Sequence, residues 1–206
     1  MSILATGVPV AWLVARAAGL VAFGLLTIAV TLGLLLSTRV LGPKRGKALL
    51  EWHRTILWAS LCMVALHGVA LLFDPTLHFG FLAVLVPGTA PWRPVSVAAG
   101  VVTAWLMLML ATSFKARRRI GQRRWRQLHY ASFAAFSLAL WHGLTTGSDL
   151  VGTRGLIFAA VALLPVLWLT FLRILTPRPA PKQRRQPPPP AAPSRDEPSR
   201  PTAVAV

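Results

Sequence analysis

The stretch Trp52–Gly68, WHRTILWASLCMVALHG, is apolar almost throughout and carries a histidine near each end, His53 and His67. A second stretch, Leu128–Gly143, LHYASFAAFSLALWHG, repeats the plan with His129 and His142. Imidazole is costly in hydrocarbon unless it faces the protein interior and meets a partner, so four of them on two apolar segments mark a site. The offsets are 14 residues in the first stretch and 13 in the second, which separates two levels by about 20 Å along a helix axis. His53 then pairs with His129, and His67 with His142. Iron fits this pattern best: two stacked hemes, each held by one histidine from each helix. Zinc fits less well, because a closed zinc site wants four clustered ligands and these form two distant pairs.

Outward from those stretches, the chain reads as a membrane protein. Of its 206 residues 55% are hydrophobic, and the mean hydropathy is +0.61, well above a soluble domain. The net charge of +17 is carried by a chain with only 13% charged residues. With apolar runs of this length, the basic charge points to a membrane surface rather than to nucleic acid. The single cysteine, Cys62, excludes an internal disulfide. Arg16 follows Trp12, so no basic region precedes the first apolar run, and a cleaved signal peptide is not expected.

Five segments carry no charge: Ala17–Thr38, Thr55–Phe73, Pro94–Phe114, Gln127–Ser148 and Gly155–Leu172. Each is close to the roughly 20 residues that cross a bilayer, which predicts a five-helix transmembrane bundle, all α. Pro165 inside the last is expected to kink that helix rather than end it. Nineteen of the 22 Lys and Arg residues fall on one side, between the first and second segments, between the third and fourth, and in the tail. Only Arg16, Arg93 and Arg154 fall on the other. The positive-inside rule then places the N-terminus outside and the C-terminus in the cytoplasm. The loop Asp74–Arg93 reads as an irregular outer cap. Residues 1–176 form the membrane domain, and 177–206, rich in Pro and Arg, form a disordered cytoplasmic tail that cannot bury a core. The tail's cluster Lys182, Arg184 and Arg185 is either simply solvated or a lipid-docking patch.

On an ideal helix His53 and His67 share a face, because 14 steps fall about 40° short of four turns. Thirteen steps leave His129 and His142 about 140° apart, which a bend or a π-bulge has to correct. Gly68 and Gly143 follow the outer histidines and either clear room for a flat ring or ease helix contact. Arg54 and Arg126 lie beside the inner histidines, and Arg16, Arg93 and Arg154 lie outside. All five are candidates for heme propionates as well as topology anchors. Trp52, Trp58 and Trp141 line an electron route or mark the membrane interface. His78, in the outer loop, is expected to be exposed and without co-ligands.

At these residues the sequence resembles the ferric reductase-like transmembrane domain, the superfamily of ferric reductases, of the membrane part of NADPH oxidases, and of the heme subunit of a bacterial methionine sulfoxide reductase system. The resemblance covers about residues 12–172. It is carried by WHR followed by HG in one segment, by RWRQLHY followed by HG two segments later, and by the unequal offsets. TTGSD after His142 looks like the outer-loop signature of bacterial members. The resemblance implies that His53, His67, His129 and His142 are bis-histidine ligands of two b-type hemes in a bacterial plasma membrane. One departure stands out. Only 34 residues follow Leu172, without a G-x-G-x-x-G element, so the chain is not expected to take hydride from NAD(P)H itself.

The expected function is transmembrane electron transfer, as the heme membrane subunit of an oxidoreductase with no catalytic side chain of its own. A cytoplasmic flavoprotein or a quinol is the expected donor, and ferric iron or a flavoprotein outside is the acceptor. The basic inner loops suit an acidic donor. The alternative is a non-redox membrane scaffold or heme-responsive regulator that uses heme only to fold.

Overall fold

The computed structural model describes residues 10–38, 42–75, 77–147, 150 and 152–175, and contains no strand among them. Seven helices follow in order: α1 (Val10–Thr38), α2 (Gly46–Leu72), α3 (Phe81–Leu85), α4 (Pro94–Ile120), α5 (Gln122–His129), α6 (Ala131–Thr146) and α7 (Thr153–Leu175). A 3-10 turn, Pro43–Arg45, leads into α2. Four of them, α1, α2, α4 and α7, are long and apolar enough to cross a membrane. Residues 177–206 and the Ser148–Asp149 pair lie outside the described residues.

Small residues decide how close these helices come. Ala15, Ala18, Ala22, Leu26 and Ala29 recur at helical spacing and are buried along one face of α1. With mostly methyl groups on that face, α2 lies close along α1. Ser60, fully buried, spans the contact by donating to the Ala22 carbonyl at 2.7 Å. The second close pair is α4 with α6, where Thr103 donates to the Ala135 carbonyl. Leu26, Val30 and Leu34 of α1 meet Met107, Phe136, Ala162, Val166 and Leu169 in the central core. Leu156, Val161, Leu164, Trp168 and Ile174 of α7 stay outside it and exposed, as side chains facing lipid do.

The two segments that carry histidines are not packed on each other. α2 leans on α1 and α6 on α4, while α2 approaches α5 and α6 far less closely.

The fourth charge-free segment differs from its reading as one helix. It breaks at Tyr130 into α5 and α6, and α6 alone has 16 residues. Tyr130 N–H bonds the Gln127 carbonyl and Phe133 N–H bonds the Tyr130 carbonyl, both three residues back. Such 3-10 steps turn by about 120° per residue instead of about 100°, so they carry the later residues towards the face they lack on an ideal helix. The break thus acts in the direction that the 13-residue offset requires, and supplies part of the rotation.

Other expectations are refined. α1 starts before Ala17 and α2 before Thr55, so Arg16, His53 and Arg54 are helical. α7 runs through Pro165 without ending. The loop between α2 and α4 is less irregular than its prolines suggest: it contains α3, and Phe79, Ala83 and Ala90 are buried against Val97 and Val101. His78 is exposed, with a positive φ of 50°.

Candidate functional site

α2, α5 and α6 bring the four histidines together in the expected pairs. The rings of His53 and His129 stand 6.3 Å apart, centre to centre, and so do those of His67 and His142. That repeated distance is compatible with one ion between the rings of each pair. A metal–imidazole bond of about 2.0 Å and a ring radius of about 1.1 Å, counted on either side of one ion, give about 6.2 Å. Direct ring stacking would be closer, and the rings are steeply inclined, at 60° and 82°. Among the described residues no group of three or more His, Cys, Asp or Glu side chains converges. The pairs are called inner and outer below, after the orientation that the basic residues predict.

Three of the four rings are fixed by the backbone of a neighbouring helix. His67 Nδ1–H donates to the Ala15 carbonyl at 2.6 Å, and His53 Nδ1–H to that of Ala29 at 2.8 Å. His142 Nδ1–H donates to the Ser96 carbonyl at 2.8 Å. A bonded Nδ1–H leaves Nε2 as the free lone pair, which is the tautomer a metal-ligating histidine needs.

These contacts share one local device. In each case the residue four positions after the carbonyl is glycine: Gly19, Gly33 and Gly100. A helical side chain leans back over the preceding turn, so a residue at that position would cover the carbonyl from the side. A methyl group on Gly100 would stand 2.8 Å from His142 Cε1, and one on Gly19 would stand 3.0 Å from His67 Nδ1. On Gly33 it would stand 3.3 Å from His53 Cε1. Glycine opens a notch, the imidazole fills it, and the carbonyl's second lone pair receives the N–H. The notches on α1 lie 14 residues apart, as do His53 and His67 on the antiparallel α2.

His129 has no such notch. Its Nδ1 is buried without a hydrogen-bond partner. Stepping the Ser96–Gly100 pair by 14 residues along α4 reaches Leu110 and Phe114. The Leu110 carbonyl accepts from Ser113 Oγ, and Phe114 fills the place of the glycine. The Phe114 ring packs edge-on against Trp125, which stacks on His129 at 5.0 Å.

The remaining candidates divide. Arg54 lies over Phe114 with Arg117, which also lies over Trp125, so Arg54 belongs to the inner cluster. Arg126 is exposed on α5, and no contact ties it to a histidine among the described residues. Arg93 lies over Trp92 and donates to the Thr145 carbonyl, tying the outer end of α4 to α6. Arg16 lies over Trp12 and Arg154 is exposed. Trp52, Trp58 and Trp141 are all exposed. Gly68 and Gly143 serve contacts other than the histidines: Gly68 abuts Val84 of α3, and Gly143 has Leu150 as its neighbour.

Sequence reading missed Gly19, Gly33, Gly100, Phe114, Arg117 and Trp125. The signal for the first three was present, as Ala-x-x-x-Gly twice on α1 and Ser-x-x-x-Gly on α4.

Fold and site together define an all-helical, multi-pass membrane protein with two histidine pairs set at separate levels. Comparison with protein-family models, with curated proteins and with solved structures gives no match.

Proposed function

We propose that the chain is a diheme electron carrier of the ferric reductase-like kind. It moves electrons from a cytoplasmic flavoprotein or quinol to an acceptor outside, such as ferric iron or a flavoprotein. The observation that carries this reading is the pair of equal 6.3 Å ring separations, with three Nδ1–H groups turned to backbone carbonyls. α2 packs on α1 and α6 on α4 rather than on each other, and a flat group at each level would lie between the paired rings. Bound between such pairs, heme supplies one-electron chemistry at an iron with no open coordination position.

The chain's own residues do the rest. His53 with His129, and His67 with His142, hold the two irons. Backbone carbonyls of α1 and α4 set the tautomer and tilt of three rings, which raises their basicity as ligands. Arg54 and Arg117 offer positive charge to propionates at the inner level, and Arg16, Arg93 and Arg154 are the corresponding candidates outside. α5 and α6 together make the fifth crossing, with the N-terminus outside and the C-terminus in the cytoplasm. The plasma membrane of a bacterium is the expected setting.

The test is the purified protein. Two hemes per chain with a low-spin, six-coordinate spectrum, reducible by a physiological donor, are expected. One heme per chain, a high-spin centre, or heme that no physiological donor reduces would overturn the carrier. Orientation has its own test: a tag after Val206 should be inaccessible from outside intact cells.

A further inference from the structure

We propose that the inner level is also a ligand-binding site. His129 is the exchangeable imidazole of the four, and a small neutral π-acceptor such as carbon monoxide takes its place on the reduced iron. The inference rests on the two-heme reading above.

Its basis is the difference in how the four rings are held. His53, His67 and His142 each donate Nδ1–H to a carbonyl and sit in a glycine notch. His129 Nδ1 is buried without a hydrogen-bond partner, and among the described residues its ring meets Trp125, on which it stacks, and His53 across the pair. Loss of the partner behind a ligating histidine typically weakens metal binding by about 10–100-fold. His129 is therefore the weakest of the four ligands.

The backbone lets it leave. α5 has eight residues, of which five are exposed and Trp125, Leu128 and His129 are half-buried. It is bracketed by Gly121, with φ 81° and ψ 154°, and by the break at Tyr130. Arg173 of α7 donates to the Tyr130 hydroxyl at 3.1 Å, which ties the break to α7, while α5 is held to α4 through the Trp125 ring against Phe114 and Arg117. His129 then leaves by giving up ring contacts alone, with no side-chain hydrogen bond of its own to break. Neither outer histidine has this freedom, since α2 and α6 hold both through packed helices and bonded rings.

The exchange is balanced without a redox partner. The bond from His129 Nε2 to ferrous iron breaks, a carbon lone pair forms the new bond, and the imidazole stays on the chain. Iron keeps its oxidation state.

Carbon monoxide titrated into the dithionite-reduced, heme-loaded protein in lipid nanodiscs tests the idea by absorbance. One carbon monoxide per chain is expected, converting half of the low-spin heme. His129→Ala assigns the site. If that variant keeps the inner heme it should still bind one carbon monoxide, and more tightly than the wild-type protein, because no imidazole competes for the position. If it loses the inner heme it should bind none. No binding by the loaded wild-type protein overturns the proposal. So does conversion of both hemes, or a His129→Ala protein that binds two, or that binds one with only the outer heme left. A protein that takes up no heme at all overturns the underlying reading of the site instead.

Discussion

The outer and inner histidine pairs are built to the same 6.3 Å separation and by different means. Both outer rings are locked, His67 against Ala15 and Gly19 on α1, His142 against Ser96 and Gly100 on α4. The inner pair has one locked ring, His53 against Ala29 and Gly33, and one that leans on an indole. The distance between two ligands is thus a weak description of a site. What stands behind each histidine decides how firmly its ring is held, and would decide how a metal between them behaves.

The largest effect that separates the pairs is ligand removal outside. His67→Ala or His142→Ala should remove the outer heme completely, halve the heme content per chain and abolish electron transfer across reconstituted vesicles. Heme content measured by extraction, with dye reduction on the far side of the vesicle, checks both. Retention of two hemes in either variant would break the comparison at its root.

Next come the notches. Gly100→Ala places a methyl group 2.8 Å from His142 Cε1, and Gly19→Ala one 3.0 Å from His67 Nδ1. Both are overpacked, and a cost of about 1–3 kcal/mol is expected from the forced shift. Gly33→Ala, at 3.3 Å from His53 Cε1, asks for a smaller adjustment, and Gly24→Ala meets nothing within 4 Å. The effect on heme retention during mild denaturation should therefore fall in the order Gly100, Gly19, Gly33, Gly24. A large effect at Gly24, or none at Gly100, would show that the notches are not what fixes the rings.

That series also marks how far the sequence could be read. The apolar runs and the levels of the four histidines were legible because membrane thickness and helix rise convert residue number into depth. The pairing followed from depth alone. The break at Tyr130 was legible only as a need, since the 13-residue offset demanded a correction without saying where. A run such as Tyr130-Ala-Ser-Phe carries no glycine or proline to mark it. The backbone acceptors were hidden for another reason: Ala15, Ala29 and Ser96 contribute carbonyls, which every residue has. Only the glycines four positions later distinguish them, and a glycine in an apolar helix ordinarily reads as an aid to packing. Arg126 was chosen by nearness in sequence to His129. Helical geometry instead gives the inner cluster to Arg117 and Trp125, from the end of α4 and the middle of α5.

A smaller effect is expected at the leaning ring. Trp125→Leu removes an aromatic stack of the kind worth about 0.5–1.5 kcal/mol and leaves every hydrogen bond of the other three histidines in place. The inner heme should show a broadened or shifted low-spin signal by electron paramagnetic resonance, and the outer signal should not change. An equal change in both signals would mean that the two levels are coupled through the bundle rather than held separately.

The finest distinction is in reduction potential. A histidine whose Nδ1–H is bonded donates more strongly to the metal and favours its oxidised form, so His129, without that bond, should leave the inner iron easier to reduce. Arg54 and Arg117 around Phe114 add positive charge near the same level, which also favours the added electron. A tenfold factor in a one-electron equilibrium is about 59 mV, so a split on the order of 60 mV, inner above outer, is expected. Moving an electron outward is then uphill by about 1.4 kcal/mol between the two centres. A membrane potential of 100 mV, negative inside, contributes about 2.3 kcal/mol over a full crossing, and about two thirds of that over the 20 Å between levels. The two terms nearly cancel. Direction would therefore be set by the donor, the acceptor and the membrane potential rather than by a downhill step built into the chain. A spectroelectrochemical titration of the purified protein should resolve two waves, and His129→Ala should move or remove only the higher one. Two coincident waves, or a lower wave that responds to His129, would show that the missing hydrogen bond does not set the inner potential.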